Sequence, residues 1–269
     1  MLSVCATPIG NLEDVTLRVL GELAAADLVL CEDTRHTRRL LERHGIRAQL
    51  LSYHEHNEAE RTAALLPRLV GGERMALVSD AGLPGVSDPG ARLVRAAADA
   101  GVPVTVLPGP SAAETALVAS GVVADRYQFV GFLPRGERAL AALWEELADW
   151  PWPVVAFESP RRLPATLASL AQFDETRGVV VARELTKRHE EIVRGSASEL
   201  AERFVEAPKG EVTLVIGRGG GRASERADVA EAAGVVVALV DEGVPRRRAV
   251  ELVARLTGLA RKQLYDMSL

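Results

Sequence analysis

Short β-branched and apolar runs alternate with segments of helical periodicity from Leu2 to Ile216, and no other feature restricts the fold as strongly. Residues 2–6, 28–31, 75–79, 102–107, 127–131, 154–157, 179–182 and 212–216 read as strands. Between most of them, apolar positions recur three and four apart, as in Val15, Leu17, Val19, Leu20 and Leu23. The pattern predicts an α/β fold with largely parallel sheets, divided into two α/β domains over residues 1–108 and 109–217. A glycine-rich linker at 218–226 then leads to a helical domain at 227–269. Helices are expected at 227–241, 246–256 and 259–267, with Pro245 opening the second and Gly258 breaking before the third. Two short helices joined by such a turn resemble a helix-turn-helix unit, and Arg246, Arg247, Arg248, Arg261 and Lys262 lie on it. A solvated cap and a nucleic-acid contact both fit.

Several helix starts are marked. Asp88-Pro89 predicts an N-cap with proline in the first turn, and Ser111 with Glu114 predicts a capping box. Gly101 and Gly121 are expected stops.

The charge of −5 argues against a protein that coats nucleic acid through a general basic field, but leaves room for a local basic face. Cys5 and Cys31 lie in apolar runs without zinc spacing, as buried small hydrophobes of a reducing compartment do. No basic segment leads into an apolar stretch at the start, and no run approaches roughly 18 apolar residues. A cytoplasmic location, with no membrane contact, is the expectation.

Three loops after predicted strands are rich in glycine and proline: ATPIGN at 6–11, SDAGLPGVSDPG at 79–90 and PGPSA at 108–112. Ligands in open α/β sheets sit beyond the carboxyl ends of the strands, and glycines let the backbone approach them closely. None of the loops has the dinucleotide or P-loop spacing. Glu32-Asp33-Thr34-Arg35, with Arg38 and Arg39 behind, offers carboxylates at a strand end, either as a base or as a helix cap. His54 and His56 could share one face of an extended metal-binding segment, but no third ligand cluster accompanies them, so a polar cleft wall is favoured and no metal is expected. Phe157 to Arg162, Ala182 to Glu191 and Pro208 to Glu211 each put a carboxylate beside Arg or Lys, and two of the three lysines, Lys187 and Lys209, fall here.

Together these segments resemble a known family. ATPIGNLEDVTLR, LCEDTRHTRRLL, SYHEHNE, SDAGLPGVSDPG, LPGPSA, GFLPR, FESPRR, ARELTKRHEE and PKGEVTLVI stand in the order seen in RsmI-type methyltransferases, a branch of the tetrapyrrole methylase superfamily. The resemblance runs from about residue 4 to 216, and the helical tail is similar to the extension many members carry. It implies an S-adenosylmethionine-dependent enzyme that methylates the ribose 2′-OH of a cytidine in 16S rRNA of the small ribosomal subunit, usually as a homodimer. The cofactor would lie between the α/β domains. By the same resemblance, Pro8, Ile9 and Gly10 lie in the first cofactor loop, Asp80, Ala81, Gly82 and Leu83 in the second, and Ser111 and Ala112 in the third. Phe157 and Glu158 close on the cofactor from the second domain. Precorrin-type relatives usually open with a G-x-G-x-G-D-like loop where this chain has TPIGN. Leu83 stands where threonine is common, and Arg161 where histidine is usual.

For the chemistry, Lys187, Glu184 and Asp33 are the candidate catalytic groups, with burial expected to depress the Lys187 pKa so that it accepts a proton. Arg35, Arg38, Arg39, Arg161, Arg162, Arg183 and Arg188 are candidate RNA contacts, joined by Arg135, Arg138 and the tail arginines in one basic face. Two rival readings remain: a tetrapyrrole-type small-molecule methylase, and a ligand-sensing regulator that binds nucleic acid through the tail.

Overall fold

The computed structural model describes every residue except 86–87, 123–124, 220–221, 258 and 269, and not the side chains of 222–230. Of the expected linker at 218–226, residues 220–221 lie outside the described residues, as does Gly258, but 222–226 are already helical, so the first tail helix starts at Arg222 and not at the expected residue 227. Five strands form the first sheet: β1 (Leu2–Cys5), β2 (Leu28–Cys31), β3 (Leu50–Ser52), β4 (Met75–Val78) and β5 (Val104–Leu107). They are all parallel, in the order β3-β2-β4-β1-β5. Their near-continuous apolar runs follow from burial on both faces, the usual state of a parallel sheet. Leu2, Val4, Leu28 and Leu30 pack with Leu65, Leu69 and Leu93 on one face, while Cys5, Val29 and Cys31 meet Val19, Leu23 and Leu40 on the other. Each fully buried leucine contributes about 1.5–3 kcal/mol. Both cysteines are free and buried, and burial, then the Glu22 charge, pushes the Cys5 thiol up to about 12.

The second sheet contains β6 (Gln128–Phe132), β7 (Val154–Glu158), β8 (Gly178–Arg183), β9 (Glu191–Ser196) and β10 (Val212–Ile216), in the order β6-β7-β10-β8-β9. Here the expectation of largely parallel sheets fails. Only β6 and β7 are parallel; the pairs of β10 with β7, β10 with β8, and β8 with β9 are antiparallel. A parallel partner needs a crossover of a dozen or more residues, and the turn from Arg183 to Glu191 is too short for one. Alternate residues serve opposite faces: Val179 and Val181 join an outer core, Val180 and Ala182 an inner one. That inner core also holds Ile9 from the first domain and Ala113 and Ala116 from the helix Ala112–Ser120.

The strands β3 and β9 escape a reading by apolar runs because they are short or polar edge strands. The tail folds as helices Arg222–Asp241, Arg246–Thr257 and Arg261–Met267 around Val236, Val250, Val253 and Leu264. No helix among the described residues is long and apolar enough to cross a membrane.

Candidate functional site

The three glycine- and proline-rich loops follow β1, β4 and β5, which lie side by side as β4-β1-β5. With neighbouring strands about 4.8 Å apart, their carboxyl ends, and so the loops, must converge. Thr7 and Gly82 pair as an isolated bridge, each N–H donating to the other's carbonyl at 2.8 and 3.1 Å, and Thr7 Oγ1 donates to the Ser79 carbonyl at 3.0 Å. Gly82 has φ +79°, and a Cβ there would lie 3.8 Å from both Ile9 Cγ2 and the Pro110 carbonyl oxygen. All three loops thus meet within one van der Waals shell. At Gly109 a Cβ would sit 2.9 Å from Ala6 Cβ, so only glycine allows the third loop to lie this close to the first.

These loops wall one side of a cleft of about 1030 Å³; the ends of β6, β7, β8 and β10 wall the other. Of the sequence candidates for cofactor contact, Ile9, Asp80, Ala81, Gly82, Leu83, Ser111, Ala112, Phe157 and Glu158 line it. Pro8 and Gly10 do not. Gly10 instead presses on the β8–β9 turn, where a Cβ would lie 2.6 Å from Lys187 Cγ and 2.8 Å from the Leu185 carbonyl and Thr186 Oγ1. Beside it the Asn11 N–H donates to Thr186 Oγ1 at 3.0 Å, so this turn fastens one domain to the other. Glu184 and Thr186 hold φ of +52° and +64°, a conformation costly for non-glycine residues and common where a loop is tightly constrained.

Glu158 belongs to the wall, but its carboxylate is fully buried and is taken up by internal hydrogen bonds. It accepts from the Ser159 N–H (2.6 Å), Thr166 Oγ1 (2.6 Å) and the Arg162 guanidinium (Nε at 2.8 Å). Arg162 also donates to the carbonyls of Leu133 (2.7 Å) and Pro134 (3.1 Å), so it is an internal brace and its expected RNA contact is corrected. Arg183 is corrected likewise: it donates to Glu191 and, at 2.9 Å, to the Lys209 carbonyl. Arg35 is exposed but pairs with Asp33 at 2.8 Å. Arg38, Arg39, Arg161 and Arg188 are exposed.

The plainer reading of Asp33 is the observed one. It caps the helix Thr34–Arg43, and the Arg35 side chain, then its backbone N–H, holds the carboxyl well below the usual range, which makes it a weaker base than a free carboxylate. The expected depression of Lys187 is also corrected. Burial pulls its pKa down, but hydrogen bonds to Glu184 and Glu211, both 2.9 Å, outweigh burial and the net shift is upward. The lysine keeps its proton. Lys187, then the Glu211 N–H, lowers the Glu184 carboxyl. His54 and His56, read as part of a polar cleft wall, are not among the residues that line the cleft; His54 Nδ1 has no hydrogen-bond partner among the described residues, and its Nε2 shares a hydrogen bond with Asn57 at 3.1 Å. No cluster of three or more metal-ligating side chains occurs among the described residues.

Two cleft groups were read from sequence as helix caps. The helix after the second loop begins at Ala91, capped by Gly90 at φ +139°, because a Cβ at Gly90 would lie 2.8 Å from Leu77 Cδ2 and glycine alone fits. Asp88 is thereby left in the cleft wall. Burial, then the Glu32 charge, pushes its carboxyl up to about 6 despite a hydrogen bond with Ser79. At the third loop no capping box forms. The Ser111 hydroxyl donates to the Glu114 carboxylate, which also accepts from Tyr127 Oη. Burial pushes Glu114 up, but those two bonds outweigh it and its pKa is lowered; Tyr127, bound to that charge, rises to about 12. An acid in a capping pattern gives no sign that it faces a cavity. Phe129, Phe132 and Glu211 also line the cleft.

Two α/β domains closing on a cleft lined by strand-end loops define a two-domain methylase fold. Residues 1–201 match the Tetrapyrrole (Corrin/Porphyrin) Methylases, and the chain belongs to that family. Residues 226–269 match the RsmI C-terminal HTH domain. The particular relatives carry one name. The chain is 44% identical to ribosomal RNA small subunit methyltransferase I of Mesorhizobium japonicum, covering 98% of this chain and 90% of that protein. It is 42% identical to the protein of that name from Synechocystis, over 100% of this chain and 97% of the relative. Its fold is similar to that of uroporphyrin-III C-methyltransferase from Thermus thermophilus complexed with S-adenyl homocysteine. The TM-score is 0.56 at 19% identity, covering 81% of this chain and 97% of the other.

Proposed function

We propose that this chain is an S-adenosylmethionine-dependent methyltransferase acting on the ribose 2′-OH of a cytidine in 16S rRNA of the small ribosomal subunit. The carrying observation is the similarity to relatives named for small-subunit rRNA, which extends through the helical tail. The cleft fits the donor. Its volume of about 1030 Å³ is at the top of the range for small-ligand sites, roughly 300–1,000 Å³. Glycine backbone lets a ligand approach closely, and Asp80, Asp88 and Glu114 match a sulfonium, an ammonium and sugar hydroxyls. When bound, the donor supplies an electrophilic methyl carbon. Ile9, Gly82, Leu83, Ser111, Ala112 and Phe157 would hold it.

A ribose hydroxyl is a poor nucleophile until its proton leaves. Asp88 is the group suited to take that proton: it lines the cleft, is ionised at neutral pH, and is more basic than an ordinary carboxylate. Lys187 and Glu184 act as a charged pair that fixes Glu211 at the cleft edge, with the lysine as a standing positive charge. Arg38, Arg39, Arg161 and Arg188 provide phosphate contacts, which steady the RNA without reading its sequence. The protein works in the cytoplasm, where ribosomes assemble, and forms a homodimer, as the family resemblance implies.

The test supplies labelled donor with either small ribosomal subunits or porphyrinoids, and maps the rRNA product by mass. Label on a single cytidine ribose is expected. Label on the porphyrinoid alone, or none on RNA, overturns the reading.

A further inference from the structure

Phe129 and Phe132 are three residues apart, so in a regular strand their side chains would point to opposite faces. They do not. Phe129 pairs with Val155 and Phe132 with Phe157, so β6 carries one residue more than β7 between these pairs, and Gly131 takes up the extra length at φ +68°. Such bulges re-aim side chains beside active sites. Both rings now meet Phe157 edge-on, with centroids 5.0 and 5.5 Å away. Phe129 and Phe157 are partly buried by this packing, whereas Phe132 stays 62% exposed on the cleft wall.

A single exposed aromatic needs no explanation. The backbone that follows this one is braced by hydrogen bonds. Arg162 grips the carbonyls of Leu133 and Pro134 immediately after it, and buried Glu158 grips Arg162. The turn so fixed carries exposed Arg135, and exposed Arg161 leaves the end of the neighbouring strand β7. An aromatic face flanked by cations is the arrangement that holds single-stranded nucleic acid, where bases stack on the ring and phosphates meet the cations. A small donor buries most of its surface in an enclosed pocket, which a ring this open does not provide.

We propose that Phe132 is the stacking platform for the target nucleobase of the RNA, with Arg135 and Arg161 holding the adjoining phosphates. The inference rests on the RNA-methyltransferase reading given above and names the residue that positions its substrate.

The test compares wild type, Phe132→Ala and Phe132→Trp. Methylation of small ribosomal subunits is followed with labelled donor, affinity for S-adenosylmethionine by calorimetry, and mass by light scattering. Alanine should lower kcat/KM for the subunit by about 5- to 150-fold, the span for losing one stacked base. Donor affinity and oligomeric state should not change, and tryptophan should restore turnover. Alanine activity equal to wild type overturns the inference. So does a parallel loss of donor affinity, which would make Phe132 a cofactor contact, or a change in mass, which would make it a subunit contact. A wild-type protein that leaves the subunit unmodified sinks the functional reading, and this inference with it.

Discussion

Replacing Glu158 with alanine should unfold the protein more readily while leaving the three loops chemically intact. Its side chain is fully buried and serves three donors: the Ser159 N–H, the Thr166 hydroxyl and the Arg162 guanidinium. Breaking a buried ion pair from one side costs about 3–5 kcal/mol, because the surviving charge is left without a partner. Arg162 is one-quarter exposed, so water recovers part of that loss and the cost lies near the lower end, about 3 kcal/mol. In a chain this long that lowers Tm by about 6–12 °C. Urea unfolding of Glu158→Ala, Arg162→Ala and the double variant gives the coupling directly. If the pair acts as a unit, the double variant loses clearly less than the sum. Agreement with the sum to within about 0.5 kcal/mol would mean the two residues do not support each other, and the brace on the Phe132 turn would lose its basis.

Three further outcomes can be measured. Because folding raises the Asp88 pKa to about 6, its protonated form is favoured in the native state, so its contribution is complete below about pH 4 and is lost as pH rises through about 6. Asp88→Asn should therefore gain stability relative to wild type at neutral pH but not in acid. It should also slow single-turnover methylation by about 10²-fold or more and abolish the fall in rate below about pH 6; a wild-type rate removes Asp88 as the base. Gly10→Ala forces a methyl group against Lys187 Cγ and the Leu185 carbonyl, so it should cost about 1–3 kcal/mol and weaken donor binding by prising the domains apart. Unchanged calorimetric affinity would show that this contact does not set the cleft. Affinity for RNA should fall steeply with salt, and removing Arg38 and Arg39 together should reduce the log–log slope by about 1.4. A slope that does not change places the RNA elsewhere.

The alternation of apolar runs with helical segments was enough to determine an α/β chain, because burial on both faces leaves a continuous hydrophobic signature in a parallel strand. The ordered motifs likewise pointed to the family, and most of the loop residues they marked line the cleft. What the sequence could not express was adjacency. That the loops after β1, β4 and β5 meet depends on a strand order, β4-β1-β5, that hydrogen bonding between distant segments decides. The mixed second sheet and its polar edge strand β9 were hidden for the same reason: strand direction is set by the partner, not by composition. Side-chain roles followed neighbours more than type. Arg162 and Arg183 became braces because a carboxylate, buried Glu158 for the first and partly exposed Glu191 for the second, and backbone carbonyls lie within reach, and Lys187 kept its proton because two glutamates face it. Asp88 and Glu114 gained a cleft because close packing at Gly90 and the nearby Tyr127 drew them out of the helix caps their spacing suggested. Local propensity acts over a few residues, whereas the energies of charge and burial are set by whatever the fold brings within a few ångströms.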